Sequence, residues 1–151
     1  MEWNQINAKL LRAKAEFLKA DRDLLVVNAN ERAMTHKFAE HLQREFPDWT
    51  VDCEYNRHGD VKKKLLSMIE QTVPADDEDG RTVFPDIIVH RRRDPRANLL
   101  VIEAKKSGNA NDLDRRKLAA FMSDERFRYS FAVLLRFVIN DPYDITFERH
   151  E

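Results

Sequence analysis

The sequence predicts one α/β domain, a single sheet with helices packed on it. Three observations carry that expectation. Apolar residues recur at alternating steps of three and four near the start of the chain. A later run, Ser130 to Ile139, is apolar almost throughout. Between them the patterns read helix, helix, strand, strand, strand, helix, strand, strand, and one sheet covered by helices is the economical way to bury such a set. The chain has 151 residues, one domain's worth, long enough to bury roughly 70% of its unfolded surface without disulfide or metal support.

Each element has its own reason. Trp3, Ile6, Leu10, Ala13, Phe17, Ala20 and Leu24 form a narrow seam that predicts a helix over residues 2–22. The seam either packs on its own domain or pairs two copies of the chain. A second helix spans 30–46 and stops because Phe46 precedes Pro47. Thr50 to Arg57 reads as a strand. Residues 60–82 are the least regular part and end in an acidic loop, Asp76 to Gly80. Val83 to Arg91 and Asn98 to Lys105 are strands around the loop Arg92 to Ala97. A helix follows from Asp112 to about Arg126, with Asn111 as its cap. Ser130 to Ile139 is a strand covered on both faces. After Asn140-Asp141-Pro142, Tyr143, Ile145 and Phe147 alternate with polar residues as a half-exposed last strand. The expected division is an N-terminal helical extension (1–27), a core (28–140) and a C-terminal edge strand (141–151).

Composition removes several classes. No stretch approaches the ~18 apolar residues of a membrane span. Met1-Glu2-Trp3-Asn4 has no basic start followed by an apolar core, so no secretory signal is expected and a cytoplasmic location is the default. Cys53 stands alone, against a disulfide framework or a cysteine-rich zinc site. His36 and His41 lack zinc-ligand spacing to another strong ligand. With 26 Lys+Arg against 27 Asp+Glu, there is no global basic signature for nucleic acid. Three scattered glycines supply no phosphate loop of the kind nucleotide enzymes use.

The chemistry is in Phe84-Pro85-Asp86-Ile87-Ile88-Val89 and Leu100-Val101-Ile102-Glu103-Ala104-Lys105-Lys106. Each apolar strand carries an acid where an apolar residue would pack better. Glu103 and Lys105, two apart, share a strand face. If the hairpin loop is centred between Asp94 and Pro95, residues whose numbers sum to 189 face each other, and Asp86 opposes Glu103. Like charges so placed, ~5 Å apart at Cβ, are destabilising. They call for a cation, and oxygen donors alone point to Mg²⁺ or Mn²⁺. A one-residue slip would put the two acids on opposite faces.

Pro85-Asp86, a short gap, then Glu103-Ala104-Lys105, each on its own strand, resembles the PD-(D/E)XK nuclease superfamily. The likeness covers about residues 28–140. It implies a restriction-endonuclease-like fold, a mixed sheet in αβββαβ order, and Mg²⁺-dependent hydrolysis of phosphodiesters. DNA is expected in preference to RNA. By motif position Asp86 and Glu103 would bind metal, and Lys105 would serve the attacking water and the phosphate charge.

Many members of that superfamily add an acid on the preceding helix. At about 100° per residue, Met34, Phe38, Leu42 and Phe46 lie within ~60° of Glu31, whereas Glu40 is opposite and solvated. Glu31 is therefore assigned to the site as catalytic and metal-binding, with a capping box from Asn28 as its structural alternative. On the later helix, Lys117 falls among Leu113, Ala120 and Phe121 and either snorkels past the core or reaches a phosphate. Lys106, Lys117, Arg57, Arg92 and Arg93 are the expected nucleic-acid contacts. Lys62 to Lys64, Arg91, Arg96, Arg115 and Arg116 are solvated charges or further backbone contacts. His90, on the Asp86 face, is expected to pack. With no target-recognition module visible, a homodimer or larger assembly is expected. The alternative is a catalytically silent nuclease-like fold that binds nucleic acid or supports assembly.

Overall fold

A computed structural model describes residues 1–55, 84–107 and 112–151. The irregular 60–82 stretch, the Lys62–Lys64 run, Arg57 and the Asn111 cap lie outside the described residues.

Helix α1 runs Trp3–Ala20. The Gln5 side chain accepts from the Glu2 N–H at 2.8 Å, closing its first turn. The predicted seam is its buried face: Ile6, Leu10, Ala13 and Phe17 are fully covered by α3 (Glu31–Glu45) and the sheet. The seam therefore packs within its own domain and is not free to pair two chains. The expected helix over 2–22 breaks at Asp21, whose carboxylate is taken by His41 Nε2 at 2.6 Å, and a short α2 follows (Arg22–Val26). Asn28 turns the chain in the left-handed region, φ 51°, a conformation asparagine tolerates. Asn30 then caps α3, its Oδ1 accepting from the Ala33 N–H at 2.8 Å.

Five strands form one mixed sheet in the order β1-β2-β3-β4-β5: Thr50–Cys53, Ile87–His90, Asn98–Lys106, Phe131–Val138 and Asp144–His150. The β3–β4 pair is parallel and the other pairs are antiparallel. A crossover helix, α4 (Asp112–Ser123), joins the parallel pair, the kind of connection that parallel neighbours need. Helices α1 and α3 cover one face. There Leu100, Ile102 and Ala104 of β3 and Val133, Leu135 and Phe137 of β4 meet them. On the other face Val101, Ala132 and Leu134 meet Leu118 and Phe121 of α4. The apolar run of β4 thus reflects burial from both sides, as its composition requires.

The predicted strand from Val83 is shorter than expected. Pro85 cannot donate to a ladder, and β2 begins only at Ile87. Strand β1 likewise ends at Cys53, short of Arg57, because Glu54 turns with φ 48°. Among the described residues no helix is long and apolar enough to cross a membrane.

Candidate functional site

The β2–β3 register is the one on which the chemistry depends. Ile87 pairs with Ile102, Ile88 with Val101 and Val89 with Leu100, each summing to 189. A bulge then shifts His90 to Asn98, at the end away from the acids. Continuing the register beyond Ile87 sets Asp86 opposite Glu103. The Asp86 carboxylate stands in for the missing ladder partner: its Oδ2 accepts from the Ala104 N–H at 2.8 Å.

Glu103 is fully buried and faces α4. Its Oε2 accepts from Lys117 Nζ at 2.7 Å, while Oε1 is buried with no hydrogen-bond partner among the described residues. Burial first, and then the neighbouring Asp86 charge, push Glu103 well above the usual carboxylate range, against the pull of Lys117. Burial opposes the charge on Lys117, but Glu103 and Asp86 outweigh it and hold the ammonium above its ordinary value. Lys105 lies on the same strand face, its Nζ 3.6 Å from Asp114 Oδ1 of α4. Five charged side chains, Asp86, Glu103, Lys105, Asp114 and Lys117, thus gather where β3 meets the start of α4.

Asp114 escaped the sequence reading. The signal was present: at about 100° per residue it lies ~60° from Lys117 on the helix; the structure then buries it.

Glu31 comes from the other side of the sheet. Its Oε2 accepts from the Lys106 N–H at 3.2 Å, so it ties α3 to the end of β3. The capping box with Asn28 does not form, since Asn30 is the cap and the Asn28 side chain accepts from Lys106 Nζ at 2.8 Å. Glu31 and Asp86 line one cleft of about 690 Å³, with Arg32, His36, Cys53 and Glu54 around it. Among the described residues, however, no three His, Cys, Asp or Glu side chains converge as a metal-holding group. Asp86 and Glu103 come together, and Glu31 borders them from the opposite face. Glu40 is solvated, as expected, beside Lys37 and His36.

The expected nucleic-acid contacts divide. Lys106 stands at the acidic end of the sheet. Lys117 is spent on Glu103 rather than presented on an open surface. Arg92 and Arg93 are displaced from the site by topology. Strand β2 runs away from Asp86, so at ~3.3 Å per residue they sit ~20 Å off, at the far end of the sheet. Arg92 there pairs with Asp52. His90 is more than packing: its Nε2 meets Asp52 Oδ2 at 2.7 Å and its ring stands edge-on to Tyr55 at 4.8 Å. This Asp52–His90–Arg92 network went unread because its members come from strands 38 to 40 residues apart.

Comparison of the chain with protein-family models, with curated proteins and with solved structures finds no match to any of them.

Proposed function

We propose that this protein is a metal-dependent nuclease that hydrolyses phosphodiesters, DNA in preference to RNA. The observation that carries the reading is the Asp86–Glu103 apposition in the 189 register, with Lys105 two residues on along the same face. The element order α3-β1-β2-β3-α4-β4 with parallel β3–β4 agrees with a restriction-endonuclease-like core.

The donor set suits a hard divalent ion. Two carboxylates meet on an apolar sheet, and one oxygen of the buried acid has no hydrogen-bond partner among the described residues, an oxygen donor pair of the kind such ions take. Asp86 and Glu103 would hold Mg²⁺ or Mn²⁺. When bound, such an ion supplies a nucleophile at neutral pH and neutralises phosphate charge. The chain's own residues do the rest. The Ala104 N–H fixes the Asp86 carboxylate, so its orientation is set before any ligand arrives. Lys105, two-thirds covered and steadied by Asp114, brings positive charge to the place where a transferring phosphoryl group becomes more anionic. Glu31 and the cleft it shares with Asp86 give the substrate strand an approach between α3 and β1.

Cleavage of plasmid and of short duplex and single-stranded oligonucleotides, with Mg²⁺ or Mn²⁺ and with EDTA, tests this. Wild type is expected to cut only with metal, and Lys105→Ala and Asp86→Asn to lose at least 100-fold in rate, roughly the value of one electrostatic group in such a site. Undiminished cutting by both variants would refute it. A second reading, binding without cleavage, is favoured by one observation: Lys117 already occupies Glu103 Oε2. Retained binding with no cutting under either metal would establish that reading instead.

A further inference from the structure

Helix α4 brings a cation to the same carboxylate that the proposed function needs for a metal. Lys117 Nζ lies 2.7 Å from Glu103 Oε2, and the two side chains are only 17% and 1% exposed. Asp114, one helical turn earlier, faces the same cluster, and its charge acts on Lys117 as well. Residues three apart on a helix are surface neighbours, so α4 presents a cation and an anion side by side to the acidic strand ends. A buried carboxylate costs several kcal/mol unless it is paired. Lys117 supplies that pairing to one oxygen and leaves Oε1 without a hydrogen-bond partner among the described residues.

We propose that Lys117 is the resident cation of the Asp86–Glu103 pair, that it holds this corner of the fold together without metal, and that a divalent ion binds by displacing it, Asp114 then taking its charge. The inference rests on the metal reading above. It makes Lys117 a positioning residue that competes with metal, rather than the open-surface phosphate contact that its sequence position suggests. It also has a thermodynamic signature. A group that stabilises the free protein and must leave on binding lowers the affinity of whatever replaces it.

The test is Mn²⁺ binding by calorimetry on EDTA-stripped protein, with thermal melts on the same samples. Lys117→Met keeps the length of the side chain and removes the charge. It should melt below wild type without metal, bind Mn²⁺ at least about tenfold more tightly, and gain more melting temperature from Mn²⁺ than wild type does. Arg115→Met is the control for simple charge loss. Arg115 is on the same helix but pairs with Glu148 of β5 at 3.4 Å, and its removal should change Mn²⁺ affinity by less than about threefold, the exposed-pair scale.

Equal or weaker Mn²⁺ binding by Lys117→Met, with wild type binding normally, overturns the competition and leaves the metal reading intact. An equal gain in Arg115→Met overturns it too, since any lost cation would then serve. Failure of both wild type and Lys117→Met to bind Mn²⁺ removes the metal reading itself and this inference with it. Should Lys117→Met not fold, Lys117→Gln removes the charge while keeping a polar head, and it must also bind Mn²⁺ more tightly than wild type.

Discussion

Asp86→Asn separates charge from shape at the centre of the site. The variant keeps an oxygen able to accept from the Ala104 N–H, now 2.8 Å away in the wild type, and loses only the negative charge. Taking the ~5 Å spacing of opposed Cβ atoms for the separation, two unit charges at an effective dielectric of about 20 repel by about 3 kcal/mol. Part of that is already relieved, because Glu103 is driven toward its neutral form. Part is also offset, because Asp86 helps to hold the Lys117 ammonium. The net gain on removing the Asp86 charge is then about 1 kcal/mol, or ~2–4 °C in melting temperature for a chain of this size. Urea and thermal melts in EDTA measure it, with cleavage assayed on the same preparations. The expected protein is more stable and inactive, the pattern of a site that keeps a repulsion for function's sake. A variant that melts below wild type without metal would show that the Asp86 charge is a structural asset. Relief of repulsion would then be the wrong account of the pair.

Three further outcomes follow from the fold. Phe17 is fully buried against Phe38 and Phe137, at ring separations of 6.4 and 5.9 Å. Phe17→Ala should cost about 3–5 kcal/mol in urea unfolding and leave the light-scattering mass unchanged. A change in mass at constant stability would return the α1 seam to an interface role. Burial alone would raise Asp52, but hydrogen bonds from Arg92 and His90 outweigh it and hold its carboxyl below the ordinary value. Its contribution is therefore complete above the unfolded value of ~3.9 and lost as pH falls through the lower folded value. Asp52→Asn should flatten that acid limb of the stability curve, and urea midpoints against pH that run parallel to wild type would contradict it. The Cys53 thiol is pushed up to about 11 by burial and then by the Glu54, Asp52 and Asp86 charges. It should react with a disulfide reagent at neutral pH far more slowly in native than in urea-unfolded protein, and equal rates would contradict the burial.

Periodicity and turn chemistry made most of the fold legible. The α1 seam, the proline stop of α3 and the doubly covered β4 each express one local rule. The hairpin register agrees with the 189 expectation across Ile87–Val89, but not through the assumed loop centre. Next to the loop His90 pairs with Asn98 and the Arg91 N–H donates to the Ala97 carbonyl, both summing to 188, and only the bulge between Val89 and His90 gives 189. What the sequence concealed depends on contacts between distant segments. The break at Asp21 needs His41 from another helix. The Asp52–His90–Arg92 network needs β1 beside β2. Glu31 followed the right helical angle, yet the angle locates a face and not a depth, and the β3 backbone at Lys106 takes its carboxylate first. Lys117 is the instructive residue: its place on the buried side of α4 was readable, but its partner was not, because the β3–α4 crossover alone brings it to Glu103.

If the proposed function holds, strand direction also decides where nucleic acid can touch the chain. Asp86, Lys105 and Lys106 share one end of the sheet with the first turns of α3 and α4. The loop Arg91–Ala97 closes β2 and β3 at the opposite end. There Arg91 stacks over Trp49 at 4.4 Å and Arg92 is engaged by Asp52. A phosphate at the candidate site is beyond reach of either, since ~20 Å of strand exceeds twice the Debye length of ~8 Å at physiological salt. Arg92→Ala with Arg93→Ala should therefore leave both DNA affinity and its salt dependence unchanged. Lys106→Ala should weaken binding and reduce the slope of log K against log salt by about one. Fluorescence anisotropy with a labelled duplex in Ca²⁺, over a salt series, reads both. If the arginine pair lowers the slope and Lys106 does not, the nucleic acid lies across the far end of the sheet. The acidic pair would then have no phosphate to act on.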